Sequence, residues 1–134
     1  MTALTADRNT PRRLDREIEA HPVKGGARIF AGALVMLDAD GWAIAGAAGV
    51  GLVAVGRADE AVAATANGNA GVRTRRGVLR FANSGGADAI TRAEIGDPAY
   101  VVDDQTLAKT NGSGTRSAAG IIRDVDAQGV WVEI

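Results

Sequence analysis

RGVLRFANSGGADAITRAEIGDPAYVVDDQTLAKTNGSGTRSAAGIIRDVDAQGVWVEI, residues 76–134, decides the fold class. Short apolar runs alternate there with turns rich in Gly, Asn and Asp. In the closing segment Val130, Val132 and Ile134 alternate with Trp131 and Glu133, so one face is wholly aliphatic, which is strand periodicity. The one helical signal is a single turn: Thr91 and Glu94 fit a capping box, Gly96 suits a left-handed terminator, and Pro98 blocks continuation. Short strands at regular spacing predict a mainly β chain, a small antiparallel β-barrel or β-sandwich-like domain with one short helical turn.

The pattern extends toward the N-terminus. Arg28–Leu37 (RIFAGALVML) reads as two short β segments about Ala31-Gly32, after a turn at Gly25-Gly26. Asp38-Ala39-Asp40-Gly41 is a hairpin turn, since Asp-Gly supplies the required backbone conformations, and WAIAG is its return strand. LVAVGRA, residues 52–58, reads as a buried strand with Gly56 a bulge or a point of close approach. A short strand at 61–64 precedes a turn at Asn67-Gly68-Asn69. GVRTRRGVLRFAN, residues 71–83, is the longest strand candidate, yet neither parity is consistently apolar, which predicts a change of face at Gly77. Residues 1–20, sparse in apolar side chains and interrupted by Pro11, read as an N-terminal arm, either an extended, disordered tail or a segment that orders on a partner. Leu14 and Ile18 stand four apart and allow a helical turn in LDREIEA, too short to be stable alone. Residues 21–134 form the single β-rich domain.

Composition narrows the chemistry. At 134 residues without cysteine, the chain is long enough to bury a core without staples, and disulfides and thiol nucleophiles are excluded. No apolar run approaches the ~20 residues of a membrane span, and the N-terminus is charged where a signal peptide is apolar. His21 is the sole histidine, beside Pro22 and without metal-ligand spacing. Ser84, Ser113 and Ser117 lie outside any G-x-S-x-G elbow. Gly49-Val50-Gly51 begins like a dinucleotide loop, but Ala54 stands where the third glycine belongs, and no Walker A sequence occurs. Asp103-Asp104 point to opposite faces of a strand; Asp124 and Asp126 share one, at a strand end. These readings predict no catalytic residue, no metal and no cofactor.

Charge is the positive signal. The net charge of −1 hides an uneven distribution: Arg73, Arg75, Arg76 and Arg80 fall in a stretch, 61–87, with no acid, whereas residues 88–134 hold eight acids against four bases. Alternate arginines can fork carboxylates or phosphates along a sheet edge. Three readings stand: subunit or protein contact, a solvated edge that discourages aggregation, and a nucleic-acid surface. Against nucleic acid, no aromatic interleaves the arginines and the pI is near 5.8. That small nucleic-acid-binding barrel using the Arg73–Arg80 strand stands as the alternative function.

The segments ARIFAGALVMLDADGWAIAG, GLVAVGRADE, RRGVLRFANS, DAITRAEIGDPAYVVDDQTLAKT and GTRSAAGIIRDVDAQGVWVEI together resemble a family of tailed-phage proteins. These are head decoration, capsid cement or minor capsid proteins of Mu-like and related siphophages. The resemblance spans roughly residues 21–134, and IGDPAYVVDD and GVWVEI are its most recognisable pieces. Some relatives carry a recombinase-like label, which the missing Walker elements reject here. The resemblance implies a non-enzymatic virion protein, made in the bacterial host cytoplasm. It would sit on the outer surface of the head at three-fold and quasi-three-fold positions and stabilise the lattice of the major capsid protein. It further implies a homotrimer and an arm engaging the coat. Arg8, Arg12, Arg13 and Arg16 are then the arm's capsid-contact candidates, and Arg73, Arg75, Arg76 and Arg80 the subunit- or capsid-contact candidates.

Overall fold

Leu34–Leu37, the sequence LVML, runs through the middle of the protein and is buried on both faces. In a strand, alternate side chains point to opposite sides. Here Leu34 and Met36 join one hydrophobic cluster, while Val35 joins a second. A computed structural model, which describes residues 2–12 and 17–134, shows twelve strands among the described residues, this element included. They are β1 (Ile18–Pro22), β2 (Arg28–Ile29), β3 (Leu34–Leu37), β4 (Ala43–Ala45), β5 (Val53–Ala58) and β6 (Val62–Ala63), then β7 (Gly71–Arg75), β8 (Val78–Asn83), β9 (Pro98–Val101), β10 (Thr106–Ala108), β11 (Ala118–Asp126) and β12 (Gly129–Glu133).

An antiparallel sheet of order β1-β7-β5-β3-β4 abuts a closed barrel of order β10-β8-β12-β11-β9, and β2 pairs with β6 as a small flap. The mainly β barrel reading therefore holds, with one refinement. The β8–β10 pair is parallel, in a barrel whose other pairs are antiparallel. Leu34 and Met36 pack toward the barrel with Phe81, Ile90, Val101, Leu107, Ile122, Val130 and Val132. On the other side of the sheet, Val35 packs with Val23, Ile29, Val55 and Val72. Sheet and barrel are thus joined through the two faces of one strand.

The stretch 71–83 is two strands in two layers. Val72 and Thr74 are buried from β7, whereas Phe81 is buried from β8, so the inward parity changes between them. Gly77, with φ +142°, makes the change, and its backbone exchanges hydrogen bonds with Ile134. Gly56 is the expected close-contact point: its φ is +131°, and a Cβ there would overlap the Arg75 carbonyl. The β3–β5 register shifts beside it, as a bulge requires.

Local turn chemistry follows the sequence. Asp38 Oδ1 accepts hydrogen bonds from the Asp40 and Trp42 N–H groups and closes the β3–β4 hairpin. The Thr91–Glu94 capping box forms around a 3-10 turn at Arg92–Glu94. A second 3-10 turn, Gly86–Asp88, was not expected.

The arm ends earlier than its predicted limit at residue 20. Ile18–Ala20 lie in β1, paired with Arg75, Thr74 and Arg73 of β7, so the C-terminal part of LDREIEA is strand; Leu14 lies outside the described residues. A four-residue spacing supplies too little to nucleate helix when an adjacent edge offers a full ladder of backbone partners.

Candidate interaction surface

The four arginines of residues 73–80 divide between the layers. Arg73 lies in the middle of β7, Arg75 at its end and Arg76 just past it. Arg75 makes a forked contact with Asp59, Nε to Oδ1 at 3.3 Å and Nη2 to Oδ2 at 3.2 Å, and its Nη1 donates to Glu17 Oε1 at 2.9 Å. Asp59, just beyond β5, has a side chain only 12% exposed; it also lies 3.4 Å from Arg57 and 3.8 Å from Arg73. Hydrogen bonding from Arg75 holds the Asp59 carboxyl below the ordinary carboxylate range, against a smaller opposing effect of burial. In return Asp59, and then Glu17, hold the Arg75 guanidinium proton more tightly than usual.

Arg76 pairs separately through Nε with Glu19. The other oxygen of Glu19 lies 3.5 Å from His21 Nε2, a buried atom with no hydrogen-bond partner among the described residues. These contacts join β1 to β7 and β5 through side chains as well as backbone. Charge-assisted, forked arginine–carboxylate contacts of this kind fix orientation. The arginine-rich stretch therefore fastens the start of the domain and is not an open positive stripe.

Arg80 is different. It projects from the barrel wall on β8, with its guanidinium 5.5 Å from the centroid of the Trp131 ring, and it forms no ion pair among the described residues. Trp131 Nε1 donates to Asp126 Oδ2 at 2.8 Å, a bond that chiefly holds the Asp126 carboxyl below its usual value. Val78 is 46% exposed on the same strand. Arg57, Val78, Leu79, Arg80 and Trp131 line a shallow groove of about 290 Å³. Elsewhere, Phe30 is 55% exposed, with Arg28 stacked 4.8 Å from its ring centroid. Phe30, Ala31, Gly32, Ala33, Asp104 and Gln105 line a second open cleft, of about 410 Å³.

Residues 2–12 of the arm are exposed, Arg8 and Arg12 included, with Leu4 71% exposed. Arg13 and Arg16 lie outside the described residues.

The side chains weighed for catalysis have structural partners. Ser117 Oγ donates to the Gly49 carbonyl and accepts from the Leu52 N–H, tying the 49–52 loop to the start of β11. Ser84 Oγ donates to the Leu107 carbonyl. Asp124 pairs with Arg92, while Asp126 accepts from the Gln128 and Gly129 N–H groups in the β11–β12 turn. Asp103 Oδ1 accepts from the Gln105 N–H within its own turn. Among the described residues no group of three or more His, Asp or Glu is placed to hold a metal ion, and no helix is long and apolar enough to cross a membrane.

Sequence reading did not single out Asp59, Arg57 or Phe30. Asp59 carries no motif, and its role follows from the β5–β7 pairing. The outward direction of Trp131 was visible in its parity, opposite to buried Val130 and Val132, but its pairing with Arg80 depends on the β8–β12 register. No protein-family model, curated protein or solved structure matches the chain.

Proposed function

We propose that the protein is a non-enzymatic decoration protein of a phage head. In this reading it binds the outer surface of the shell at three-fold and quasi-three-fold positions as a homotrimer and stabilises the lattice of the major capsid protein. The observation that carries the reading is the junction of arm and body. A solvent-exposed segment, 2–12, leads toward an edge strand that Arg75 and Arg76 fasten to a closed β body. That arrangement suits tethering, because force on the arm is borne by a backbone ladder and forked ion pairs in parallel. The sequence resemblance supplies the setting.

A clamp of this kind acts by mass action: it binds the assembled lattice better than free subunits and so shifts the equilibrium toward the shell. Several copies about one axis add multivalency, and modest arm contacts then hold firmly. The nucleic-acid alternative is less well supported, since Asp59, Glu17 and Glu19 neutralise much of the charge that phosphates would need. The test mixes purified protein with expanded, undecorated heads and images them by electron microscopy. Added density at three-fold positions is expected; bare heads at saturating protein refute the proposal.

A further inference from the structure

A pocket of about 300 Å³ opens where β1 ends and β7 begins, lined by Pro22, Trp42, Asn67, Gly68, Asn69 and Ala70. Both of its walls are fastened to the segment 22–26. On one side, the Gly68 N–H donates to the Thr65 carbonyl at 2.9 Å and closes a turn, with Gly68 at φ +89°. The Thr65 and Ala70 carbonyls in turn accept from the Gly26 and Val23 N–H groups, each at 2.9 Å. The turn lies so close to Gly25 that a Cβ there would overlap the Ala66 carbonyl. On the other side, the Trp42 N–H donates to Asp38 Oδ1, Ala43 bridges to Val23, and the Ala43 carbonyl accepts from the Lys24 N–H at 3.0 Å. The pocket is thus largely preformed, and a ligand entering it has little of the chain left to order.

The lining selects the chemistry of that ligand. Trp42 is 44% exposed, and its indole N–H has no hydrogen-bond partner among the described residues. Arg28 covers the Phe30 ring and Arg80 the Trp131 ring, but no cation lies over Trp42 among the described residues. Asn67 and Asn69 are exposed, and their side-chain amides form no hydrogen bond among the described residues. None of the lining residues is charged, and Lys24, on the segment that carries both walls, is paired with Asp38 at 3.4 Å. A phosphate or carboxylate ligand would find no counter-charge here. A bare indole face, by contrast, packs against the C–H face of a pyranose ring, and amides that both donate and accept match hydroxyls that do the same. We propose that this pocket binds a neutral saccharide, stacked on Trp42 and hydrogen-bonded by Asn67 and Asn69. The site needs neither the arm nor a second copy, and it does not rest on the decoration reading.

The experiment titrates the full chain carrying Trp131→Phe, which leaves Trp42 as the sole tryptophan, with a panel of neutral oligosaccharides and their sulfated counterparts. The panel is built from glucose, galactose, mannose and N-acetylglucosamine, and binding is read by tryptophan fluorescence and saturation-transfer NMR. At least one neutral member is expected to give a saturable change in Trp42 emission, unaltered by salt because no charge is involved. By saturation transfer, Trp42→Ala is expected to lower the affinity about ten-fold or more. Asn67→Ala and Asn69→Ala are each expected to lower it about three- to ten-fold. Circular dichroism checks folding, and the two asparagine variants change only an exposed turn. Absence of saturable binding across the neutral panel overturns the site. So does binding that Trp42→Ala and both asparagine variants leave unchanged, binding that weakens as salt rises, or binding confined to the sulfated sugars. A proline-rich peptide that occupies the pocket when no saccharide does also overturns the assignment. Bare heads in the decoration test leave this site standing, and a failed sugar titration leaves the decoration reading standing.

Discussion

Leu34 to Ala is the substitution that most directly probes how this molecule is held together. Leu34 is fully buried at the start of β3, and its side chain faces the barrel cluster. Truncation removes three carbons, ~2.4 kcal/mol of transfer free energy at ~0.8 kcal/mol per carbon. The cavity left behind adds to this, so a total loss of about 3–4 kcal/mol is expected, within the range for buried leucines. Against an ordinary total stability of ~5–15 kcal/mol, that is a large fraction. With a urea slope of ~1.5 kcal/mol/M, the midpoint falls by about 2–3 M. Two tryptophans make the assay informative. Trp42 begins the return of the β3–β4 hairpin, and Trp131 lies on the barrel wall. Fluorescence of Trp42→Phe and Trp131→Phe backgrounds then reports each layer separately. Because one strand supplies both cores, the two signals should shift together. A Trp131 transition that moves while the Trp42 transition stays in place refutes the claim that β3 couples the layers.

Three further outcomes follow from particular contacts. Gly56→Ala meets both a left-handed backbone, φ +131°, and the Arg75 carbonyl; a loss of about 2 kcal/mol or more is expected by chemical denaturation, and an unchanged midpoint would contradict the close approach. The carboxyls of Asp38, Asp59, Asp88, Glu94 and Asp126 all titrate below their ordinary values when folded. A depressed folded pKa gives stability that is present above the unfolded value, near pH 4, and is lost as pH falls through the folded one. Melting temperature should therefore hold from pH 7 to about 5 and drop below about 4, and an equal melting temperature at pH 3 and 7 would exclude these contributions. Deleting residues 2–12 removes no strand and no core side chain, so thermal stability should be unchanged, while the proposed attachment to heads should weaken; undiminished attachment would remove the arm from the proposed mechanism.

The sequence disclosed the turns and strands most readily, because turn chemistry and alternation act over a few residues. The Asp38–Gly41 hairpin, the Thr91 capping box and the aliphatic face of β12 were all visible in this way. The opposed parities of 71–83 even indicated a change of face at Gly77. What that change accomplished was hidden. It carries the chain from an open sheet into a closed barrel, and it is defined by hydrogen bonds between Gly77 and Ile134, 57 positions apart by subtraction of their numbers. Long-range pairing also decided the candidate surface. Arg73, Arg75, Arg76 and Arg80 are neighbours in sequence, but β7 delivers the first three to Asp59, Glu17 and Glu19, while β8 places the fourth on the barrel wall. No local pattern marks Asp59 as a shared partner, since that depends on β5 lying beside β7.

This division bears on how the protein would adhere in the proposed decoration role. An arginine already forked to a carboxylate must lose that partner before it can grip another, and the exchange brings little net gain in water. The Arg75–Asp59 and Arg76–Glu19 pairs thus contribute rigidity at the root of the arm. In the proposed role, adhesion would fall to cations that form no ion pair among the described residues: Arg80 on its tryptophan, Arg28 on Phe30, and the exposed Arg8 and Arg12 of the arm. Holding arm and barrel wall on one stiff body raises the effective concentration of each for its own target once the other has engaged. Weakening the root alone, as in Arg76→Ala, should therefore leave every exposed contact in place and still loosen attachment to heads. Quantitative electron microscopy of occupancy against protein concentration measures that loss. Full occupancy at the wild-type concentration would show that the arm needs no rigid anchor.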